Sequence, residues 1–255
     1  MHNIPRFYIS KSQIKRKRFL LEDERIVRHI CLVLRLKKGD KIILFDGKGG
    51  EYQATLGFLS RKQVAGIIET EKFVESDANI KITLAQSLPR AGKLDDVIRM
   101  NTEVGVQDFI LFESEYSVAK TESVNEQKLQ RLTKVALEAI RQSEGSIVPE
   151  IKGAISFQEL LGKTGFDSKI LLHSRMIEGS QNLINIKNKV KSDSKILIII
   201  GPEGGFSPKE ITLAQKNGCQ ITHLNLPILR TETAGVVVSS YLLLKQQKNP
   251  KNMPV

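Results

Sequence analysis

The chain has no tryptophan, 5% aromatic residues and only 2 cysteines in 255 positions. Cys31 and Cys219 form no repeated spacing, so a disulfide framework is excluded and a reducing cytoplasm is the expected compartment. No apolar run approaches the roughly 18 to 20 residues that cross a bilayer, and the run at 196–200 has the length and composition of a buried strand. A membrane partner is therefore not expected, and the opening MHNIPRFYIS lacks the apolar core of a signal peptide. His2, His29, His173 and His223 are isolated from one another and from cysteine, which leaves no set with metal-ligand spacing. Internal repeats and low-complexity stretches are absent as well.

What the chain does have is a core's worth of apolar residues and an excess of positive charge. With 40% hydrophobic and 26% charged residues it matches globular usage, enough for one large or two modest domains. Lys and Arg number 39 against 28 Asp and Glu, a formal charge of +11. Residues 1–75 carry +7 of it and residues 76–255 carry +4. Such an excess concentrates polyanions, which makes nucleic acid the leading partner class; a solvated, solubilising face is the alternative.

Two rhythms divide the chain. The spacing of Ile26, Val27, Ile30, Val33 and Leu34 predicts a helix over 22–36, followed by strands over 41–45, 51–58 and 63–71, as in a small β-barrel. The polar stretch at 75–79 marks the boundary, so the expected domains are 1–75 and 76–255. Beyond it, strands over 80–85, 109–112, 170–173, 195–200 and 221–226 alternate with helices over 93–104, 126–143, 208–217 and 233–247. That alternation predicts an α/β domain with a mainly parallel sheet. The tail from 246 holds two prolines and no periodic face, and is expected to fray.

Two loops stand out because each follows a strand and precedes a helix, where open α/β sheets bind ligands. The first is Ile200-Gly201-Pro202-Glu203-Gly204-Gly205-Phe206-Ser207. Ser207 and Glu210 make a capping box with Pro208 at the first helical position. The glycines let the backbone turn tightly and approach a ligand, although a plain strand-to-helix turn is the other reading. The motif is neither a Walker A loop nor G-x-G-x-x-G. The second loop runs Leu224-Asn225-Leu226-Pro227-Ile228-Leu229-Arg230-Thr231-Glu232-Thr233-Ala234. It ends in a polar cluster at a helix start that favours anions, with Thr231 or Thr233 as a simple cap on the alternative reading.

IGPEGGFS and LRTETAG, in this order and about 25 residues apart, resemble the SPOUT-class family of ribosomal RNA small subunit methyltransferase E. Ile4 to Tyr8, His29, Val33 to Leu36, Phe45-Asp46-Gly47, Lys93-Leu94-Asp95 and Thr102 to Val106 look like further landmarks, so the resemblance spans nearly the whole chain. Asn225 stands where members usually carry glycine, and Pro227 where they often carry arginine. The resemblance implies a PUA-like RNA-binding domain ahead of a trefoil-knotted SPOUT domain, a homodimer, and S-adenosylmethionine as cofactor with no metal. It implies methylation of N3 of a specific uridine in 16S ribosomal RNA, presented as naked RNA or in the assembled small subunit. Another RNA target such as a ribose 2′-oxygen, or a non-catalytic ribosome-assembly factor, are the competing readings.

On this resemblance the cofactor pocket draws on Leu172 and His173, on Ile200, Gly201, Pro202, Glu203, Gly204 and Gly205, and on Leu224, Asn225, Leu226, Ile228, Leu229, Thr231, Thr233 and Ala234. Attack by N3 requires loss of its proton. Arg230, and second Arg175, are candidates to stabilise the uridine anion, with salt bridges or phosphate contacts as alternatives. Glu203 and Glu232 are candidates to orient the base or accept the proton, or simply to bind loop N–H groups. For RNA the densest basic stretch is Arg6, Lys11, Lys15, Arg16, Lys17 and Arg18, with Phe7 and Tyr8 beside it for stacking and Arg35 further on; a solvated loop is the alternative for 15–18.

Overall fold

A computed structural model of the chain describes residues 4–74, 80–90 and 92–244. The expected boundary at 75–79 and the expected frayed tail lie outside these residues. The backbone divides into two compact units, one holding residues 1–76 with 140–148 and the other holding 77–139 with 149–255.

The first unit is a six-stranded sheet. Its strands are β1 (Arg6–Tyr8), β2 (Ile14–Lys15), β3 (Arg18–Leu21), β4 (Lys41–Phe45), β5 (Gly50–Leu59) and β6 (Val64–Phe73), in the order β1-β4-β5-β6-β3-β2. All neighbours are antiparallel except β1 with β4. Phe7, Ile9, Phe19, Leu21, Val27, Ile30, Ile42, Leu44, Leu56 and Val64 form its core. The β4–β5 turn lies where Asp46-Gly47 and Gly49-Gly50 predict one. There Asp46 Oδ1 accepts from the Lys48 and Gly50 N–H groups, at 2.8 and 2.9 Å.

The helix expected over 22–36 is only α1 (Glu24–Arg28), capped by Asp23 and continued by a π-helical turn at His29–Val33. β-branched residues at 26, 27, 30 and 33 weaken helix propensity. The turn closes on an i to i−5 bond from Leu34 N–H to His29 O at 2.9 Å, and Arg35 ends it at φ 53°. Leu32 and Val33 consequently face solvent.

The second unit carries a seven-stranded, wholly parallel sheet. In chain order it contains β7 (Lys81–Ser87), α2 (Leu94–Glu103), β8 (Asp108–Glu113), α3 (Glu126–Gln142), β9 (Glu150–Ser156) and α4 (Phe157–Gly162). There follow β10 (Ser168–Leu172), β11 (Gln181–Asn182), α5 (Leu183–Lys187), β12 (Lys195–Ile200), α6 (Pro208–Lys216), β13 (Cys219–His223) and α7 (Thr231–Leu244). The last residues of α3 fall in the first unit. The order β11-β13-β10-β12-β7-β8-β9 puts three carboxyl ends side by side, those of β13, β10 and β12. β12, at the centre, reads as an unbroken apolar run from Ile196 to Ile200 because both sheet faces are covered there.

From β13 the chain crosses back over β10 and β12, and α7 packs on α2, β12 and β7. Its buried face is Ala234, Gly235, Val238, Ser239 and Leu242. A Cβ at Gly235 would lie 3.1 Å from Leu84 Cδ2 and 3.2 Å from Asn101 Oδ1, so this helix sits close because position 235 is glycine.

Candidate active site

The loops leaving β10, β12 and β13 enclose a cavity of about 780 Å³ at the carboxyl edge of the sheet. Each loop is built by its local sequence. The β12 strand KILIII is apolar and buried; the chain then turns through Gly201 to Gly205, with Gly205 at φ 72°. It enters α6 through the predicted capping box: Glu210 N–H donates to Ser207 Oγ at 3.3 Å, and Ser207 N–H donates to Glu210 Oε2 at 2.9 Å. The other Glu210 oxygen accepts from Glu115 N–H at 3.0 Å, which ties the loop to the end of β8. Beneath it, Phe206 stacks on Phe112 with centroids 6.4 Å apart.

The β13 loop is apolar from Leu224 to Leu229 apart from Asn225 and then turns polar. Thr231 Oγ1 donates to Gly201 O at 2.7 Å and accepts from Gln86 Nε2 at 2.9 Å. Gln86 is fully buried at the end of β7. One hydroxyl therefore bolts the start of α7 to both β12 and β7.

Of the residues expected to bind the cofactor, Leu172, His173, Ile200, Gly201, Pro202, Glu203, Gly204, Gly205, Leu224, Leu226, Ile228, Leu229, Thr231 and Ala234 line the cavity. Asn225 and Thr233 are exposed and do not. Arg175 and Arg230 line it, the Arg230 side chain being 81% exposed at its mouth. Glu232 lies outside the lining, with Arg230 Nη1 4.0 Å from its carboxylate. Ser174, Phe206, Pro227 and Lys93 complete the wall.

Sequence reasoning gave Lys93 no site role, yet its Nζ lies 3.6 Å from Glu203 and 3.4 Å from Glu232. A single ammonium thus joins carboxylates of both loops. Burial alone would push the Glu203 pKa up, but N–H groups of its own backbone and of Arg90, with Lys93 beside it, hold it below the ordinary value. Among the described residues, no group of three or more His, Cys, Asp or Glu converges on a metal position. No described helix is long and apolar enough to cross a membrane.

In the first unit, Lys15 and Arg18 pair across the β2–β3 hairpin, and Arg16 and Lys17 form its two-residue turn at φ 49° and 61°. All four are exposed, as are Lys11 and Arg35. Arg6 corrects the expectation of an RNA contact. It is 8% exposed, pairs with buried Glu51 at 2.8 Å and donates from Nη2 to Gly145 O and Ser146 Oγ, so it is buried and engaged inside the unit. Phe7 is likewise buried, against His29, and offers no stacking face.

Residues 76–243 match the RNA methyltransferase domain, and residues 21–69 match the RNA methyltransferase PUA domain. Over 212 residues, 82% of this chain and 83% of the relative, the sequence is 32% identical to ribosomal RNA small subunit methyltransferase E of Bacillus subtilis. The chain belongs to the ribosomal RNA small subunit methyltransferase E family. The Rickettsia conorii member is 31% identical over 94% of this chain and 95% of its own length. Among solved structures, the Neisseria gonorrhoeae member bound to S-adenosyl methionine superposes with a TM-score of 0.82 at 27% identity, covering 95% of this chain and 98% of that one. A methyltransferase from Legionella pneumophila, in complex with bound SAM, gives 0.83 at 25% identity with the same coverage. Family membership agrees with the observed architecture, a β-rich PUA unit ahead of a parallel α/β sheet.

Proposed function

We propose that the protein transfers a methyl group from S-adenosylmethionine to N3 of a uridine in 16S ribosomal RNA, in the cytoplasm, on naked RNA or on the assembled small subunit. The observation that carries this reading is the cavity at the ends of β13, β10 and β12, lined by apolar residues and by two arginines. Its volume falls within the usual 300–1,000 Å³ of ligand sites. Leu172, Ile200, Leu224 and Leu229 suit an adenine and a methylene chain, and Glu203 suits the cationic amino-acid end. Bound there, the cofactor supplies an electrophilic methyl group, and the protein's task is orientation. Arg230 and Arg175 face the uridine from the mouth and stabilise the anion that forms over O2 and O4. The hairpin of Lys15, Arg16, Lys17 and Arg18, with Lys11 and Arg35, holds the RNA backbone.

The reading includes a homodimer and the family's trefoil knot. Leu226 and Ile228 on the cavity loop and Met176 nearby are 52%, 66% and 76% exposed, an apolar rim suited to a second copy. The return of the chain from β13 to α7 is consistent with a threaded path. Mass mapping of 16S RNA from cells lacking the gene, with purified subunits and free RNA assayed in parallel, tests the function. Loss of one 3-methyluridine is expected, and its retention overturns the reading. Absence of cofactor binding by calorimetry would instead favour an assembly factor.

A further inference from the structure

Methylation at N3 needs an acceptor for the N3 proton, and few groups lining the cavity can serve. Lys93, Arg175 and Arg230 are cations without a lone pair to offer. Glu203 is committed: its Oε1 accepts from Arg90 N–H at 3.2 Å and lies 3.6 Å from Lys93 Nζ. These contacts hold its pKa below the ordinary value despite burial, which makes it a weak base at neutral pH. Glu232 stands outside the lining, shared between Lys93 and Arg230.

His173 remains. Its backbone N–H donates to Thr222 O at 2.7 Å, which fixes it where the ends of β10 and β13 meet. Its Nδ1 lies 2.8 Å from Arg175 O and is also approached by the Arg175 N–H at 3.3 Å, so each tautomer satisfies one of the two contacts. With the proton on Nδ1 the ring donates to that carbonyl and carries its lone pair on Nε2, the form a base needs here. No described residue is shown hydrogen-bonding Nε2, and His173 is one of the residues that line the cavity. The other ionisable residues of the lining are Arg175 on its own loop, Glu203 after β12, Lys93 before α2 and Arg230 before α7, and His223 follows Thr222 at the end of β13. His223 is itself occupied, with Nδ1 3.0 Å from Ser180 Oγ.

We propose that His173 is the catalytic base, its Nε2 taking the uridine N3 proton. This role rests on the uridine-N3 reading above and takes the place of Glu203 and Glu232, the proton acceptors that the sequence offered as candidates. Nε2 accepts the proton as the bond from N3 to the methyl carbon forms and the bond from sulfur to that carbon breaks, leaving its electron pair on sulfur. The sulfonium becomes a neutral thioether, and the imidazolium then releases its proton to water.

The test pairs kinetics with a measurement that needs no turnover. His173→Asn keeps an N–H donor for Arg175 O and removes Nε2. Its kcat is expected to fall about 10²–10⁴-fold, the usual contribution of general base catalysis. Imidazole should restore turnover to His173→Gly, a rescue that a purely structural or cofactor-binding role would not allow. Long-range ¹H–¹⁵N spectra of the histidine-labelled protein should show His173 as the Nδ1–H tautomer. A dominant Nε2–H tautomer, or a kcat for His173→Asn within threefold of wild type, overturns the proposal. So does cofactor affinity falling while kcat stands. If wild-type protein binds the cofactor but leaves uridine N3 unmethylated, the underlying reading fails instead, whatever the tautomer.

Discussion

Replacing Thr231 with valine keeps the volume and branching of the side chain while deleting the hydroxyl that joins three elements. Thr231 is 6% exposed and Gln86 is fully buried, so water cannot readily substitute. Two hydrogen bonds disappear, to Gly201 O and from Gln86 Nε2. Gln86 Nε2 keeps its bond to Ser87 O at 3.0 Å, so the loss is partial on that side. At about 1 kcal/mol per bond, plus the cost of a buried carbonyl left short of a partner, the change is about 2–3 kcal/mol. For a domain of this size that is a drop in Tm of roughly 5–10 °C. Because the hydroxyl also holds the two cavity loops at a fixed spacing, cofactor binding must re-order them, and a Kd about tenfold weaker follows from about 1.4 kcal/mol of that cost. Thermal unfolding and calorimetry read the two effects. Thr231→Ser should recover both to within about 0.5 kcal/mol. Combined with Gln86→Leu, the double variant should lose less than the sum of the singles by about 1 kcal/mol. A Thr231→Val protein with Tm within 1 °C and Kd within twofold of wild type, or an additive cycle, would refute the reasoning.

Ser207→Ala removes the cap of α6 and should cost about 1 kcal/mol in urea unfolding, with Ser207→Thr close to neutral. Neutralising Lys15, Arg16, Lys17 and Arg18 together should reduce the slope of log K against log salt for RNA by up to about 3, leaving cofactor affinity intact; an unchanged slope counts against the hairpin as the phosphate contact. Glu51 supplies a pH signature. Burial would raise its pKa, but hydrogen bonds from Lys72, Arg6 and Ser146 and the charge of Arg6 outweigh that and hold it below the ordinary 4.5. A depressed carboxylate contributes stability that is full above about pH 4.5 and is lost as pH falls through the folded-state value. The urea midpoint of the wild type should therefore fall more steeply below pH 4.5 than that of Glu51→Gln, and parallel curves would exclude the pair as a stabilising contact.

The parts of the site that could be read from sequence are those whose chemistry is local. The box of Ser207 and Glu210, the proline between them and the apolar strand before the glycine loop all lie within sixteen residues, and the structure forms them as expected. The helix over 22–36 failed because apolar spacing cannot tell a continuous α-helix from one that slips into a π turn; Val27 and Ile30 are buried as the period requires, while Leu32 and Val33 are not. The strand expected over 221–226 stops at His223 for a related reason. Leu224 and Leu226 are apolar because they wall a cavity, and a run of such residues looks the same whether its neighbour is a sheet or a ligand.

Most of what positions the cavity is held by pairs far apart in the chain. Gln86 meets Thr231 across 145 residues, and Lys93 meets Glu232 across 139. In sequence each is an ordinary polar residue near the end of a strand or the start of a helix, and only the return of the chain from β13 to α7 brings them together. That return has a physical consequence for the reaction. The loop carrying Arg230 is anchored through Thr231 to the β12 loop and through Glu232 to Lys93, so the mouth of the cavity and its walls are tied to one another. A methyl transfer, whose rate depends on holding two reactants in line, is the kind of chemistry such coupling serves. His173 stands on the third loop, tied to β13 by its own backbone, so the proton acceptor is referenced to the same sheet edge as the walls.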